Sequence, residues 1–163
     1  MQKPIPDFLK ILKILINNEV DFIVIGGVCA VLHGSPVTTF DLDLVHSRTP
    51  ANLEGLISVL DELEAYYRER EDIKLKPKLS HLSSPGHHLL MTRYGPLDLL
   101  GTIGKGYSYG DLLGDSEEIP ISGKNIRILS LEKLIEIKEE LARDRDKAML
   151  PILKQTLDEK RKQ

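Results

Sequence analysis

Residues 24–44 read VIGGVCAVLHGSPVTTFDLDL, and the rest of the chain is organised around them. Phe22-Ile23-Val24-Ile25 is a β-branched and aromatic run with the composition of a buried strand. Gly26-Gly27 ends that run, and Val28 to Leu32 reads as the first turns of a helix. Phe40 to Val45 then alternates apolar and acidic. On a strand, side chains two apart share a face, so Asp41 and Asp43 project together while Phe40, Leu42 and Leu44 face the other way. Adjacent carboxylates repel, and burying one without a partner is costly. A divalent cation is the simplest compensation, because hard oxygen ligands suit Mg²⁺ or Mn²⁺. A solvated acidic strand accounts for Asp-x-Asp alone equally well.

A third carboxylate shifts that balance. Asp98 stands inside the apolar run Leu97-Asp98-Leu99-Leu100, bounded by Gly95-Pro96 and Gly101. If its strand neighbours the first, Asp98 joins Asp41 and Asp43 in one cluster. Such a cluster can hold two metal ions about 3.5–4 Å apart, the arrangement used for in-line phosphoryl displacement. The glycine pair between strand and helix lets backbone amides approach phosphates where a helix start favours anions.

The order strand, Gly-Gly, helix, Asp-x-Asp and a later Asp resembles the nucleotidyltransferase superfamily related to DNA polymerase β. More narrowly, it is similar to small bacterial and archaeal nucleotidyltransferases that include aminoglycoside nucleotidyltransferases and abortive-infection toxin enzymes. Three segments carry the likeness: Gly26-Gly27 with His33-Gly34-Ser35-Pro36, Thr39-x-Asp41-x-Asp43-Leu44, and Leu131 to Leu153 with Lys138, Arg143 and Asp146. They span about residues 20–155. Relatives often carry an arginine shortly before the threonine, where this chain has Val37.

The resemblance implies transfer of a nucleoside monophosphate from an NTP, ATP among them, to an acceptor with release of pyrophosphate. Asp41, Asp43 and Asp98 would bind Mg²⁺ or Mn²⁺, and Asp98 would also help deprotonate the acceptor. Gly26 and Gly27 would cradle the β and γ phosphates. Thr39 is a weaker candidate, suited to a local hydrogen bond that orients the Asp41 turn. Lys138 either contacts the triphosphate or pairs with an acid such as Asp146. The acceptor is left open: a small molecule, RNA or protein. Two other readings are a silent nucleotide- or partner-binding module, which Val37 favours, and a toxin–antitoxin component with its own partner.

Composition narrows the class. The chain has 163 residues, enough for one core and one expected domain over 1–163, with a C-terminal helical segment at about 130–160. Its net charge of −3 gives no global attraction to nucleic acid or anionic lipid. A single cysteine, Cys29, rules out a disulfide within the chain and reads as a small buried hydrophobe. No signal sequence and no apolar run approaching ~18 residues is visible, so the expected compartment is the cytoplasm, with no membrane partner.

The remaining elements follow from periodicity and caps. Pro6 to Asn18 is an amphipathic helix. Thr49-Pro50 starts a helix that runs to about Ala65, while Tyr67 to Lys78 shows no periodicity. His87 to Tyr94 reads as a strand joined through a turn at Tyr94-Gly95-Pro96-Leu97 to an antiparallel Asp98 strand. His87 and His88 would point to opposite faces, which argues against zinc there or at His81. Gly101 to Gly114 is a glycine-rich loop whose Lys105, Tyr107 and Tyr109 suit an acceptor lid. A hairpin turns at Ser122-Gly123-Lys124, Ser130 caps a helix from Leu131, and Pro151 marks a kink or late start in the last helix. The expected fold is α/β (α+β), a mixed central sheet of about five strands flanked by helices.

Overall fold

The computed structural model describes residues 5–163. Helix α1 (Phe8–Asn17) opens on Asp7, whose carboxylate accepts the Lys10 amide at 3.2 Å, and buries Ile11, Leu12 and Leu15. Strand β1 (Phe22–Ile25) is buried along its whole length, as its apolar composition requires. Helix α2 (Gly26–Leu32) follows without a linker, so the helix takes in both glycines instead of starting at Val28. Strand β2 (Leu42–His46) begins later than the alternation implied, and Asp41 stands at a bend just ahead of it.

Helix α3 (Pro50–Glu62) has the expected cap: the Thr49 side chain accepts the Asn52 amide, with Pro50 in the first helical position. A two-residue strand, β3 (Tyr66–Tyr67), a single turn at Arg68–Arg70 and the short helix α4 (Leu79–Leu82) occupy the segment that lacked periodicity. Strands β4 (His87–Thr92) and β5 (Gly95–Leu100) form the expected antiparallel hairpin. Its turn is Arg93-Tyr94, two residues earlier than the Gly95-Pro96 pair suggested. Gly95 and Pro96 already pair with Thr92 and Met91, because Gly95 at φ +127° adopts a conformation closed to other residues.

Strands β6 (Thr102–Ile103) and β7 (Tyr107–Ser108) make a small separate ribbon. Helix α5 (Tyr109–Leu112) leads to β8 (Ser116–Ile121) and β9 (Lys124–Leu129), whose tight turn uses positive φ at Ser122 and Gly123. Ser130 caps α6 (Leu131–Leu141), accepting the Lys133 amide. Helix α7 (Asp144–Arg161) continues through Pro151 as one element and begins well before it, correcting the expected late start. Pro151 and Lys147 are both exposed, so water can satisfy the carbonyl that the missing amide would have served.

The main sheet has seven strands, in the order β3-β4-β5-β2-β1-β9-β8, rather than about five. The excess comes partly from β3, too short to leave a periodic signature. β2 pairs parallel with β5 and antiparallel with β1, while β1 pairs parallel with β9. One apolar core gathers residues from α1 through α7, with Ile23, Val24, Leu42, Leu44, Leu97 and Leu99 fully buried at its centre. Along β4 the core-facing residues His88, Leu90 and Thr92 are buried, while His87 and Leu89 stay exposed on the other face. No helix among the described residues is long and apolar enough to cross a membrane. Leu44→Ala, in the central strand β2, is expected to lower unfolding free energy by about 2–5 kcal/mol in a urea titration, through lost burial and the cavity left behind.

Candidate metal centre

Strand pairing decides the site. Asp43 sits directly beside Asp98 in the parallel β2–β5 pair, and Ile25 sits beside Asp43 across β1. Asp41, at the bend before β2, completes the group. One carboxylate oxygen from each of Asp41, Asp43 and Asp98 lies within 4.8 Å of the other two. Among the described residues no other trio of His, Cys, Asp or Glu side chains converges in this way.

This proximity has an electrostatic cost. Burial, followed by the charge of Asp98 and a hydrogen bond shared with it, pushes the Asp43 pKa up to about 8; Asp41 adds to the rise. Asp41 is raised as well, first by burial and then by Asp98, with Arg68 acting in the opposite direction. Neither Asp41 nor Asp43 has an ion-pair partner among the described residues. Three hard oxygen donors that cannot all be charged without a compensating cation are the donor set a divalent ion such as Mg²⁺ or Mn²⁺ takes. The residues therefore fit such an ion.

The diglycine turn is bare for a packing reason. Gly26 has φ +68°, and a Cβ there would collide with the Asp43 carboxylate. A Cβ on Gly27 would meet the Thr39 hydroxyl at 2.6 Å. The Thr39 hydroxyl in turn donates to the Asp41 carbonyl at 3.0 Å, the local bond expected of it. Gly26, Gly27, Thr39, Asp41 and Asp43 thus form one close-packed corner at the end of β1. Helix start and carboxylates lie on the same side of the sheet.

Lys138 approaches from α6. Its ammonium donates to Asp146 at 3.4 Å and also counteracts, weakly, the rise of Asp43. Asp146 is fully buried; burial alone would raise its pKa, but hydrogen bonds from Arg143 (2.6 and 3.2 Å) and the charge of Lys138 bring it below the usual carboxylate range. Sequence reading missed Arg68. It lies in the stretch without periodicity, yet its Nη1 donates to Asp98 Oδ1 at 2.7 Å and to the Leu90 carbonyl at 2.8 Å. No spacing signal marks it, since the contact crosses from the turn after β3 to β5.

Other candidates are placed elsewhere. Tyr107, in β7, packs against α6, with its hydroxyl donating to Glu140 and its ring covered by Lys133 at 4.4 Å. Tyr109 packs near Asp21 and Arg127, at the opposite end of β1 from Gly26. Both tyrosines are engaged away from the carboxylates, which corrects the stacking role expected of them; Lys105 stays exposed in the ribbon turn. His87 is exposed, whereas His88 is buried and hydrogen-bonded to Tyr67 at 3.0 Å, with its pKa lowered to about 4 mainly by burial. Buried Cys29 donates to the Leu129 carbonyl, and burial raises its pKa to about 12. A cavity of about 450 Å³ lined by Tyr66, Lys74, Lys76 and Arg93 lies by the β3–β4 edge, away from the three carboxylates.

A mixed sheet with Gly-Gly at the end of one strand and acids on the next two is the nucleotidyltransferase fold, and solved structures agree. The chain is similar to a candidate nucleotidyltransferase from Thermotoga maritima at 19% identity and TM-score 0.56, covering 93% of this chain and 91% of that one. It is similar to the lincosamide antibiotic adenylyltransferase LnuA in its lincomycin-bound structure, at 17% identity and TM-score 0.62, covering 90% and 94%. The antibiotic-resistance factor ANT(2″)-Ia aligns at 16% identity and TM-score 0.59, covering 92% and 82%. No protein-family model and no curated protein sequence matches the chain.

Two outcomes follow from this geometry. The proton retained by Asp43 contributes stability that is fully present below about pH 4 and is lost as pH rises through about 8. In metal-free buffer the melting temperature should therefore fall across that window, and Asp43→Asn should flatten the fall. Gly26→Ala should destabilise the fold by about 1–3 kcal/mol, from the strained φ and displacement of Asp43, as measured by chemical denaturation.

Proposed function

We propose that this chain is a metal-dependent nucleotidyltransferase that moves a nucleoside monophosphate from an NTP to an acceptor nucleophile and releases pyrophosphate. The observation that carries this reading is the convergence of Asp41, Asp43 and Asp98 beside the Gly26-Gly27 turn in a nucleotidyltransferase fold. Asp41, Asp43 and Asp98 would hold Mg²⁺ or Mn²⁺. When bound, such ions neutralise phosphate charge and lower the pKa of a coordinated hydroxyl.

The chain's own groups do the rest. The Gly26 and Gly27 amides receive the β and γ phosphates, the glycines carrying no side chain of their own. Thr39 keeps the Asp41 bend in place through its bond to the Asp41 carbonyl. Lys138, held by Asp146, presents a positive charge toward the same corner. Gly26 belongs to the β1 side of the cluster and Asp98 to the β5 side, so the acceptor enters from β5. Its hydroxyl proton passes to the Asp98 oxygen that Arg68 leaves free. The acceptor oxygen bonds to the α phosphorus as the bond from that phosphorus to the β-bridging oxygen breaks, and pyrophosphate leaves.

The acceptor is a small molecule, an RNA or a protein, the last including the partner of a toxin–antitoxin pair. The reading places the reaction in the cytoplasm. A non-catalytic binding module on the same fold is favoured by one feature, Val37 where an arginine is common. Calorimetry with Mg-ATP and a pyrophosphate-release assay separate the two. Asp41→Asn should abolish metal-dependent labelling of a cell extract by radioactive NTPs while leaving the circular dichroism spectrum unchanged; full labelling by that variant would end the catalytic assignment.

A further inference from the structure

Arg68 reaches the carboxylate cluster from outside the elements that build it. Tyr66 and Tyr67 pair with Met91 and Leu90, and Arg68 opens the turn that follows β3; on the other side of β4, Leu89 and Leu90 pair with Asp98 and Leu97. Its side chain crosses β4 to reach β5. One nitrogen, Nη1, donates to both the Leu90 carbonyl (2.8 Å) and Asp98 Oδ1 (2.7 Å), so the guanidinium is anchored to the β4 backbone while it neutralises Asp98. The pair is shielded, with side chains 28% and 11% exposed. A guanidinium keeps its charge at any working pH, and a short bond to a carboxylate in a shielded place is strong.

We propose, resting on the nucleotidyltransferase reading above, that Arg68 is the built-in counter-cation of this centre: it holds Asp98 in place while the site is empty and competes with a divalent ion for that carboxylate. The free protein therefore takes up metal weakly. The ion enters together with the triphosphate, whose negative charge offsets the repulsion between ion and guanidinium. Arg68 is a positioning residue, since it acts through Asp98.

The test is calorimetric titration of Mn²⁺ alone into the full chain, unsubstituted and as Arg68→Gln and Arg68→Lys, with thermal melting in the presence and absence of Mn²⁺. Removing a unit charge this close to the ligands should tighten Mn²⁺ binding by on the order of tenfold in Arg68→Gln. The same variant should melt lower without metal and recover with it. Arg68→Lys, which keeps the charge, should stay near the unsubstituted affinity. A purely structural role would lower the melting temperature without tightening Mn²⁺ binding, so unchanged or weaker affinity in Arg68→Gln overturns the proposal. If Arg68→Gln folds only with Mn²⁺, the proposal stands; if it folds with neither, it falls. Absence of Mn²⁺ binding in the unsubstituted protein and in Arg68→Gln alike would overturn the metal reading itself, whereas binding that depends on Asp43 but ignores Arg68 would overturn only the counter-cation.

Discussion

The structure depends on holding like charges together. Parallel pairing of β2 with β5 puts Asp43 and Asp98 side by side, and the bend before β2 adds Asp41. Nothing in the apolar core favours that arrangement, and burial makes it worse. What offsets it is local: Asp43 holds on to its proton, and Arg68 neutralises Asp98. The carboxylates thus stay together only while a proton or a cation compensates them.

The same corner explains why two glycines stand together. Their bareness serves the protein before any nucleotide arrives, since Asp43 and Thr39 occupy the volume that side chains would fill. Substitution at Gly26 or Gly27 therefore disturbs the carboxylate and hydroxyl packed against them.

The C-terminal helices are tied to this corner by polar bonds, some of them buried. Asp146 gathers Arg143 and Lys138 at the junction of α6 and α7. Further along α7, Thr156 accepts from Ser35 at 2.8 Å, and Lys160 donates to His33 Nδ1 at 2.6 Å. His33 then donates from Nε2 to the Leu129 carbonyl, at the start of the turn into α6. The segment between α2 and Thr39 is thus braced by α7, and the position of Thr39 and Asp41 inherits that brace. In the sequence, His33-Gly34-Ser35-Pro36 carries part of the family likeness but no sign of this brace, because its partners lie about a hundred residues away or more.

Much of this was legible in the chain. Periodicity and capping residues located α1, α3, α6 and the two hairpins, since those signals are local: Thr49 and Ser130 bond amides three residues on, and alternation reports which face is buried. Asp-x-Asp, the later Asp98 and the diglycine could be singled out because acids in apolar runs and paired glycines conflict with simple burial. The misses share a cause. β3 is too short to carry a period, Tyr107 and Tyr109 are claimed by α6 and by the far end of β1, and Pro151 is tolerated because its face is exposed. Arg68 was invisible because its meaning depends on a contact across β4. The sequence by itself determined which residues carry charge and which segments become strands or helices, through short-range sterics and solvation. Only the tertiary structure decided which strand lies beside which, and hence that three acids meet and which cation faces them, because register between distant segments is set by packing of the whole core.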